Sequence, residues 1–71
     1  MEKIKIKEDF IKLDSLLKFA CFVGSGGEAK TVISEGFVKV NNDICTQRGK
    51  KIREGDIVEF AENKIEIVHE Y

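Results

Sequence analysis

A cluster of basic side chains between residues 47 and 53 is the part of this sequence best suited to chemistry. Its members are Arg48, Lys50, Lys51 and Arg53, with no carboxylate among them. The 71-residue chain has a formal net charge of only -1, although residues 36–53 sum to +4 and residues 54–71 to -5. A concentrated basic segment can bind a polyanion even when the whole molecule cannot. The alternative is a solvated loop without a ligand, and charge alone leaves both interpretations open.

A glycine-rich stretch at residues 24–31 offers a second place for an anion. Only Ala29 separates it from the nucleotide-phosphate pattern G-x-x-x-x-G-K-[ST]. We reject nucleotide binding because that loop must leave a parallel strand, whereas a helical pattern precedes it here. The backbone N–H groups of Ser25, Gly26 and Gly27 could still hold one phosphate at a helix start, with Lys30 adding a full charge. Alternatively, the two glycines only permit a tight turn between helices.

Candidates for catalysis or metal binding are few. The chain has two cysteines, Cys21 and Cys45, and one histidine, His69. These side chains cannot complete a four-ligand zinc site without carboxylates or a second chain. We expect both cysteines to be small buried apolar side chains. No Cys/His or Ser/His pair and no convergent carboxylates fall on the predicted elements, so we expect a protein that is not an enzyme and has no cofactor or metal.

Length and composition predict a single domain over residues 1–71. The sequence is 42% apolar and 35% charged and contains no proline, which is typical of a compact domain with one small core. No apolar run is long enough to cross a bilayer, and residues 1–6 lack the apolar stretch of a secretory signal. We therefore expect a cytoplasmic monomer that does not bind membranes.

Periodicity predicts the elements that position these residues. Ile4 and Ile6 alternate with lysines in a first strand over residues 1–7. Two helices follow over residues 12–22 and 26–35, the second opened by a capping box in which Ser25 and Glu28 bond reciprocally. Gly36 supplies the left-handed residue that ends the second helix. Further strands are predicted over residues 37–41, 44–47, 56–61 and 64–69, with turns at 41–43 and 62–63.

The resulting order, β-α-α-β-β-β-β, defines an α+β domain in which two helices pack on a small antiparallel sheet. Residues 23–24 are expected to end the first helix. The core predicted from the apolar periods comprises Leu16, Leu17, Ala20, Val32, Ile33, Val38, Val40, Ile57, Val58 and Ile65, with Phe60 at its margin.

Five short motifs in order resemble the S4 RNA-binding domain, named after the fourth protein of the small ribosomal subunit. They are Lys-Leu-Asp at 12–14, Ser-Gly-Gly-Glu-Ala-Lys at 25–30, Ile-Ser-Glu-Gly at 33–36, Val-Lys-Val-Asn at 38–41 and Ile-Arg-Glu-Gly-Asp-Ile at 52–57. The resemblance covers about residues 11–60 and is closest to the short stand-alone bacterial members, the YaaA type. It implies a two-helix αL-type motif and an RNA-binding function without catalysis.

The resemblance also implies which residues contact RNA. Lys12 matches the basic residue that opens the first helix, and Ser25 matches the serine at the start of the second. The next residue, Gly26, departs from the arginine that many members place there, which leaves the backbone N–H groups to bind. Lys30 lies on the exposed face of that helix. The basic loop of the stand-alone type matches Arg48, Lys50 and Lys51. Taken alone, Lys12 could equally be a solvated helix charge.

Two functions follow from this sequence. The first is an RNA-binding module in ribosome assembly or translation, which recognises structured ribosomal or transfer RNA through backbone and shape, since lysines suit phosphates. The alternative is a protein-interaction domain whose acidic C-terminal hairpin, residues 54–70, docks a ribosomal or other protein. For RNA binding we expect one continuous positive face, with the acidic hairpin on the opposite side. That face would comprise Lys12, residues 25–27, Lys30 and residues 48–53.

Overall fold

The computed structural model describes residues 1–70 and contains two helices and seven strands in that part of the chain. The elements are β1 (Glu2–Ile6), β2 (Ile11–Lys12), α1 (Leu13–Phe19), α2 (Gly26–Ser34), β3 (Val38–Val40), β4 (Asp43–Ile44), β5 (Lys51–Ile52), β6 (Ile57–Phe60) and β7 (Asn63–His69). The predicted α+β class is confirmed, and two short strands, β2 and β5, are added to the predicted order. Neither helix is long and apolar enough to cross a membrane.

The main sheet has five strands in the order β1-β7-β6-β3-β4. Neighbouring strands are antiparallel except β1, which pairs parallel to β7 with Ile4 opposite Ile67. The sheet is therefore mixed rather than purely antiparallel as expected. A parallel pair needs a crossover connection, and here everything between β1 and β7 provides it. The alternation of Ile4 and Ile6 indicates a strand but not the direction of its partner.

A second, separate sheet consists of β2 and β5 alone. The two strands are antiparallel, with Ile11 opposite Ile52 and Lys12 opposite Lys51. Each is only two residues long, so no alternation in the sequence could reveal it. Part of the segment predicted as a basic loop is thus a strand, and its Ile52 is fully buried.

Helix α2 follows its prediction closely. Its N-cap Ser25 accepts a hydrogen bond from the backbone N–H of Glu28 at 3.1 Å, which confirms the first half of the capping box. The Glu28 carboxylate accepts from the N–H of Gly24 at 2.8 Å instead of the expected Ser25 N–H, so the reciprocal bond reaches one residue further back. Gly36 has φ +82° and is confirmed as the left-handed residue that ends the helix.

Helix α1 is shorter than predicted because a cysteine ends it. The helix spans Leu13–Phe19, and Cys21 adopts the left-handed conformation with φ +61°. The N–H groups of residues 21 and 22 donate to carbonyl oxygens of the last helical turn, each at 3.0 Å, in the pattern of a Schellman motif. The predicted end at residues 23–24 is wrong because glycine, the usual signal for this conformation, is replaced here by cysteine.

Two-residue turns join the last strands of the main sheet. Asn41 and Asn42 have φ +52° and +73°, which confirms a turn between β3 and β4. The predicted bounds are wrong by a few residues, because β4 begins at Asp43, inside the predicted turn, and ends at Ile44 rather than at residue 47. The turn between β6 and β7 is formed by Ala61 and Glu62, with φ +51° and +70°. It lies one residue before the predicted position, because Asn63 already pairs with Phe60 in the strand ladder.

One hydrophobic core joins the helices to both sheets. The buried side chains are Ile6, Leu13, Leu16, Leu17, Val23, Ala29, Ile33, Val38, Val40, Ile52, Val58, Ile65 and Ile67. Most of the predicted core is confirmed, although Ala20, Val32 and Ile57 are only half-buried. Ile57 lies opposite Glu66 on the outer face of the sheet. The prediction omitted Ile52, which stands among basic residues in the sequence.

Candidate nucleic-acid interface

The ladder formed by β2 and β5 separates apolar from basic side chains. Ile52 faces the core and is fully buried, with its partner Ile11 packed against the core. Lys12 and Lys51 lie directly opposite each other and are exposed, since neighbouring residues of a strand point to opposite sides. Like charges directly opposite each other in a ladder are destabilising. An anion bound between the two lysines would replace this repulsion with attraction.

Backbone hydrogen bonds attach the basic segment, residues 47–53, to the start of α1. The N–H of Leu13 donates to the carbonyl oxygen of Lys50 at 2.9 Å, and the N–H of Asp14 donates to that of Arg48 at 3.1 Å. The N-cap residue Lys12 makes no capping bond with its side chain. Carbonyl groups of the basic segment therefore satisfy N–H groups that a helix start leaves without partners, and the backbone of the basic segment is fixed relative to α1.

A tight turn shapes the first half of the basic segment. The carbonyl oxygen of Gln47 accepts a hydrogen bond from the N–H of Lys50 at 3.1 Å. The thiol of Cys45 donates to the same oxygen at 3.7 Å. Arg48 and Gly49 occupy the tip of this turn and are exposed. Cys45 thus has a local role in holding the turn and is half-buried.

An aromatic ring that the sequence analysis overlooked supports two of the cations. The Lys51 Nζ lies 4.9 Å from the centroid of the Phe10 ring, and the Arg53 guanidinium carbon lies 5.6 Å from it. Both distances are within the range of a cation–π interaction. Phe10 directly precedes β2, and its contacts with Lys51 and Arg53 place the ring on the basic side of the ladder. In the sequence, the only sign of this role is that an aromatic residue, Phe10, directly precedes Ile11 and Lys12.

The carboxylate of Asp56 accepts hydrogen bonds that hold the end of the basic segment in place. Asp56 Oδ2 accepts from the N–H of Arg53 at 2.8 Å, and its Oδ1 accepts from the Asn41 side-chain amide at 3.0 Å. The Asn41 amide oxygen in turn accepts from the N–H of Ile57 at 2.9 Å. These bonds fix the end of the basic segment to the turn between β3 and β4.

The predicted residues at the start of α2 lie on a separate element. Glycine is not required there by contacts, because a Cβ at Gly26 would meet nothing within 4 Å and one at Gly27 only the Ser25 hydroxyl at 3.9 Å. Tight packing therefore does not explain the glycines. The Glu28 carboxylate, bonded to the N–H of Gly24, already places a negative charge at this helix start. Lys30 is exposed.

The structure thus divides the predicted site into two groups. Lys12, Arg48, Lys50, Lys51 and Arg53 are brought together by the β2–β5 ladder and its bonds to α1. The start of α2 and Lys30 are connected to that group through the packing of α1 against α2. One continuous face that includes both groups stays a prediction.

The acidic hairpin is not uniformly acidic on its outer face. Glu59 of β6 lies between Lys39 of β3 and Lys64 of β7 in the sheet ladder. Glu66 of β7 lies opposite Lys3 of β1. Opposite charges therefore alternate across this face of the sheet.

The cysteines do not form a site with the rest of the described chain. Cys21 is exposed and Cys45 half-buried, so the expectation that both cysteines are buried is wrong for Cys21, which caps α1 at the surface, and is only partly met by Cys45. Within residues 1–70, no group of three or more His, Cys, Asp or Glu residues could hold a metal ion.

The fold and the basic ladder define a class: small α+β domains with a paired-helix motif and a cationic surface. The sequence profile of the S4 domain family matches residues 4–68, and this chain belongs to that family. The predicted resemblance is confirmed and extends over more of the chain than the motifs covered.

Relatives of similar length support this assignment. The chain is 43% identical over 57 residues to the probable ribosome maturation protein RlbA of Bacillus subtilis, covering 80% of each protein. It is 37% identical over 62 residues to the putative RNA-binding protein YbcJ of Escherichia coli, covering 87% of this chain and 89% of that protein.

Solved structures share the fold. The solution structure of E. coli YbcJ, described as having an αL motif involved in RNA binding, has a TM-score of 0.73 at 35% identity and covers 96% of this chain and 87% of that one. The 30S ribosomal protein S4e of Thermoplasma acidophilum has a TM-score of 0.61 at 18% identity over 82% of this chain and 31% of that one. The second likeness concerns the fold alone.

Proposed function

We propose that this chain is a non-catalytic module that binds structured RNA, ribosomal RNA above all, through the basic segment and the β2–β5 ladder. The observation that carries the proposal is the placement of Lys12 directly opposite Lys51 on a ladder whose other side is buried in the core. A phosphate between the two ammonium groups converts their repulsion into attraction.

The physical basis of this proposal is a row of cations on a backbone that is held in place. The carbonyl groups of Arg48 and Lys50 bond to α1, and the side chains of Lys51 and Arg53 lie over the ring of Phe10. A backbone held in place suits phosphate groups at fixed spacing, as in a folded RNA, because the main chain need not be ordered on binding. Contacts of this kind position the protein on the backbone and read shape rather than sequence.

The relatives suggest the biological setting. One is named a probable ribosome maturation protein and another a putative RNA-binding protein. By analogy, the proposed target is ribosomal RNA during maturation in the cytoplasm, with transfer RNA as the other structured candidate. The alternative of protein docking through the acidic hairpin has less support, because Glu59 and Glu66 each lie beside a lysine.

The test is a double variant of the basic segment, Lys50→Ala with Lys51→Ala. Binding of ribosomal RNA fragments and of transfer RNA is measured by filter retention at several salt concentrations. If each lysine neutralises one phosphate, the slope of log affinity against log salt falls by roughly 1 to 2 units for all RNAs alike. Duplex DNA competes in a parallel series to measure the preference for RNA.

The matched control is Lys64→Ala, which removes an exposed lysine from β7 on the outer face of the main sheet. It should leave both affinity and salt slope nearly unchanged. A double variant that binds with the affinity and slope of the parent would show that the basic segment is not the RNA site.

A further inference from the structure

An open groove of about 380 Å³ lies beside the basic segment, between β4 and the turn at residues 47–50. Asp43 lines it from β4, Thr46 and Gln47 from the connecting segment, and Lys50 from the far side of the turn. The groove is at the lower end of the size range of ligand sites, which suits one small ring system rather than a large ligand.

Polar side chains in the groove are available to a ligand. Within residues 1–70, the Thr46 hydroxyl and the Gln47 amide make no hydrogen bond to the protein. The walls are nevertheless held in place. The Gln47 carbonyl oxygen binds both the Cys45 thiol and the Lys50 N–H, and Asp43 is paired with Val40 in the ladder.

Charge decides which part of an RNA could enter. The Asp43 carboxylate is a hydrogen-bond acceptor only, and it repels phosphate. Lys50 attracts phosphate at the same groove. A nucleotide therefore fits with its phosphate at Lys50 and its neutral base toward Asp43, where the base must offer N–H donors.

We propose that this groove holds one unpaired nucleobase of the bound RNA, with guanine preferred over uracil. The inference rests on the proposed function, because the base enters as part of an RNA whose backbone lies on the basic segment. Guanine presents two adjacent N–H donors, at N1 and N2, that match the two oxygens of one carboxylate. Uracil presents a single N–H between two carbonyl oxygens, which the carboxylate repels. Thr46 and Gln47 supply donors for the remaining acceptors of the base.

The experiment compares RNA pentanucleotides of sequence UUXUU, with X as guanine or uracil, by NMR titration of the isotope-labelled protein at low salt. Guanine should bind about fivefold or more tightly than uracil, the discrimination of one bidentate contact. The backbone amide signals of residues 43–47 should shift more with guanine. Asp43→Asn offers one acceptor and one donor, so it should bring the two affinities within about twofold of each other.

Glu62→Gln is the control for charge, because it also removes one exposed carboxylate but lies in the turn between β6 and β7. It should keep the guanine preference. Equal binding of the two pentanucleotides by the parent, a preference that survives Asp43→Asn, or absence of shifts at residues 43–47 would overturn the groove assignment. These outcomes differ from failure of the proposed function, in which ribosomal RNA itself would not bind through Lys50 and Lys51.

Discussion

The two sheets of this domain arrange their surface charges in opposite ways. In the two-stranded sheet, Lys12 stands opposite Lys51, a pairing of like charges. On the outer face of the five-stranded sheet, Glu59 stands between Lys39 and Lys64, a pairing of opposite charges. Cross-strand charge pairs contribute roughly 0.2–1 kcal/mol, favourable for opposite and unfavourable for like charges.

The difference shows that net charge is a poor guide to the surface of this protein. The five-stranded sheet places charges of opposite sign on neighbouring strands, so its acidic residues present no uniformly negative surface. In the β2–β5 ladder the paired lysines are locally destabilising, and they present positive charge to the solvent. Only the β2–β5 ladder therefore attracts an anionic ligand.

The largest expected effect concerns Ile52, the buried side chain beneath the β2–β5 ladder. Ile52→Ala should lower the free energy of unfolding by about 2–5 kcal/mol, because it empties a fully buried position. Urea unfolding followed by circular dichroism measures the change. Ile44→Ala, at a position 62% exposed, should change stability by less than about 0.5 kcal/mol. Equal effects of the two variants would mean that Ile52 does not attach the β2–β5 ladder to the core.

A smaller effect is expected at the ring that supports the cations. Phe10→Leu keeps an apolar side chain but removes a cation–π interaction of about 0.5–1 kcal/mol, so RNA affinity should fall about two- to fivefold. The salt slope should not change, because the same phosphates are neutralised. Filter retention of ribosomal RNA provides both values. Phe37→Leu, at another ring that is 63% exposed, serves as control, and loss of affinity in both variants would contradict a specific role for Phe10.

The smallest expected effect on stability comes from reversing one charge in each sheet, which tests the comparison of the two sheets directly. Lys12→Glu turns the like-charged pair of the ladder into an opposite pair, so stability should rise by about 0.2–1 kcal/mol while RNA affinity falls. The mirror variant, Glu59→Lys, places a third lysine between Lys39 and Lys64 and should lower stability by a similar amount without weakening RNA binding. Thermal unfolding and RNA titration of both variants measure these changes. A Lys12→Glu variant that loses stability would remove the basis for the comparison.

Local chemistry made much of this fold predictable. The Ser25 cap, the glycine that ends α2 and the Asn-Asn turn each depend on a few neighbouring residues, and each is confirmed. The helix end at Cys21 was not predictable, because the residue adopts a conformation that cysteine rarely takes.

The basic residues of the candidate site were predictable from the sequence, but the way the fold brings them together was not. Basic residues between 47 and 53 are visible in the sequence, yet their pairing with Lys12 depends on two-residue strands that leave no periodic signal. The role of Phe10 depends on a contact between segments distant in the chain. The groove at Asp43 depends on the irregular path of residues 40–50, which no periodic pattern in the sequence predicts. For every residue of the predicted site, in the basic segment and at the start of α2 alike, contact with RNA stays a prediction.

The parallel pairing of β1 with β7 has a consequence for the order of folding. Ile4 and Ile67 are partners across nearly the whole described chain, and closing so long a loop costs entropy before any contact compensates for it. The helices and the β3–β4 and β6–β7 hairpins can form from local contacts, whereas β1 has no strand partner until residues 63–69 are present. During synthesis, β1 would therefore stay unpaired until β7 is made. Its two lysines, Lys3 and Lys5, and Lys7 directly after it would keep that unpaired edge soluble.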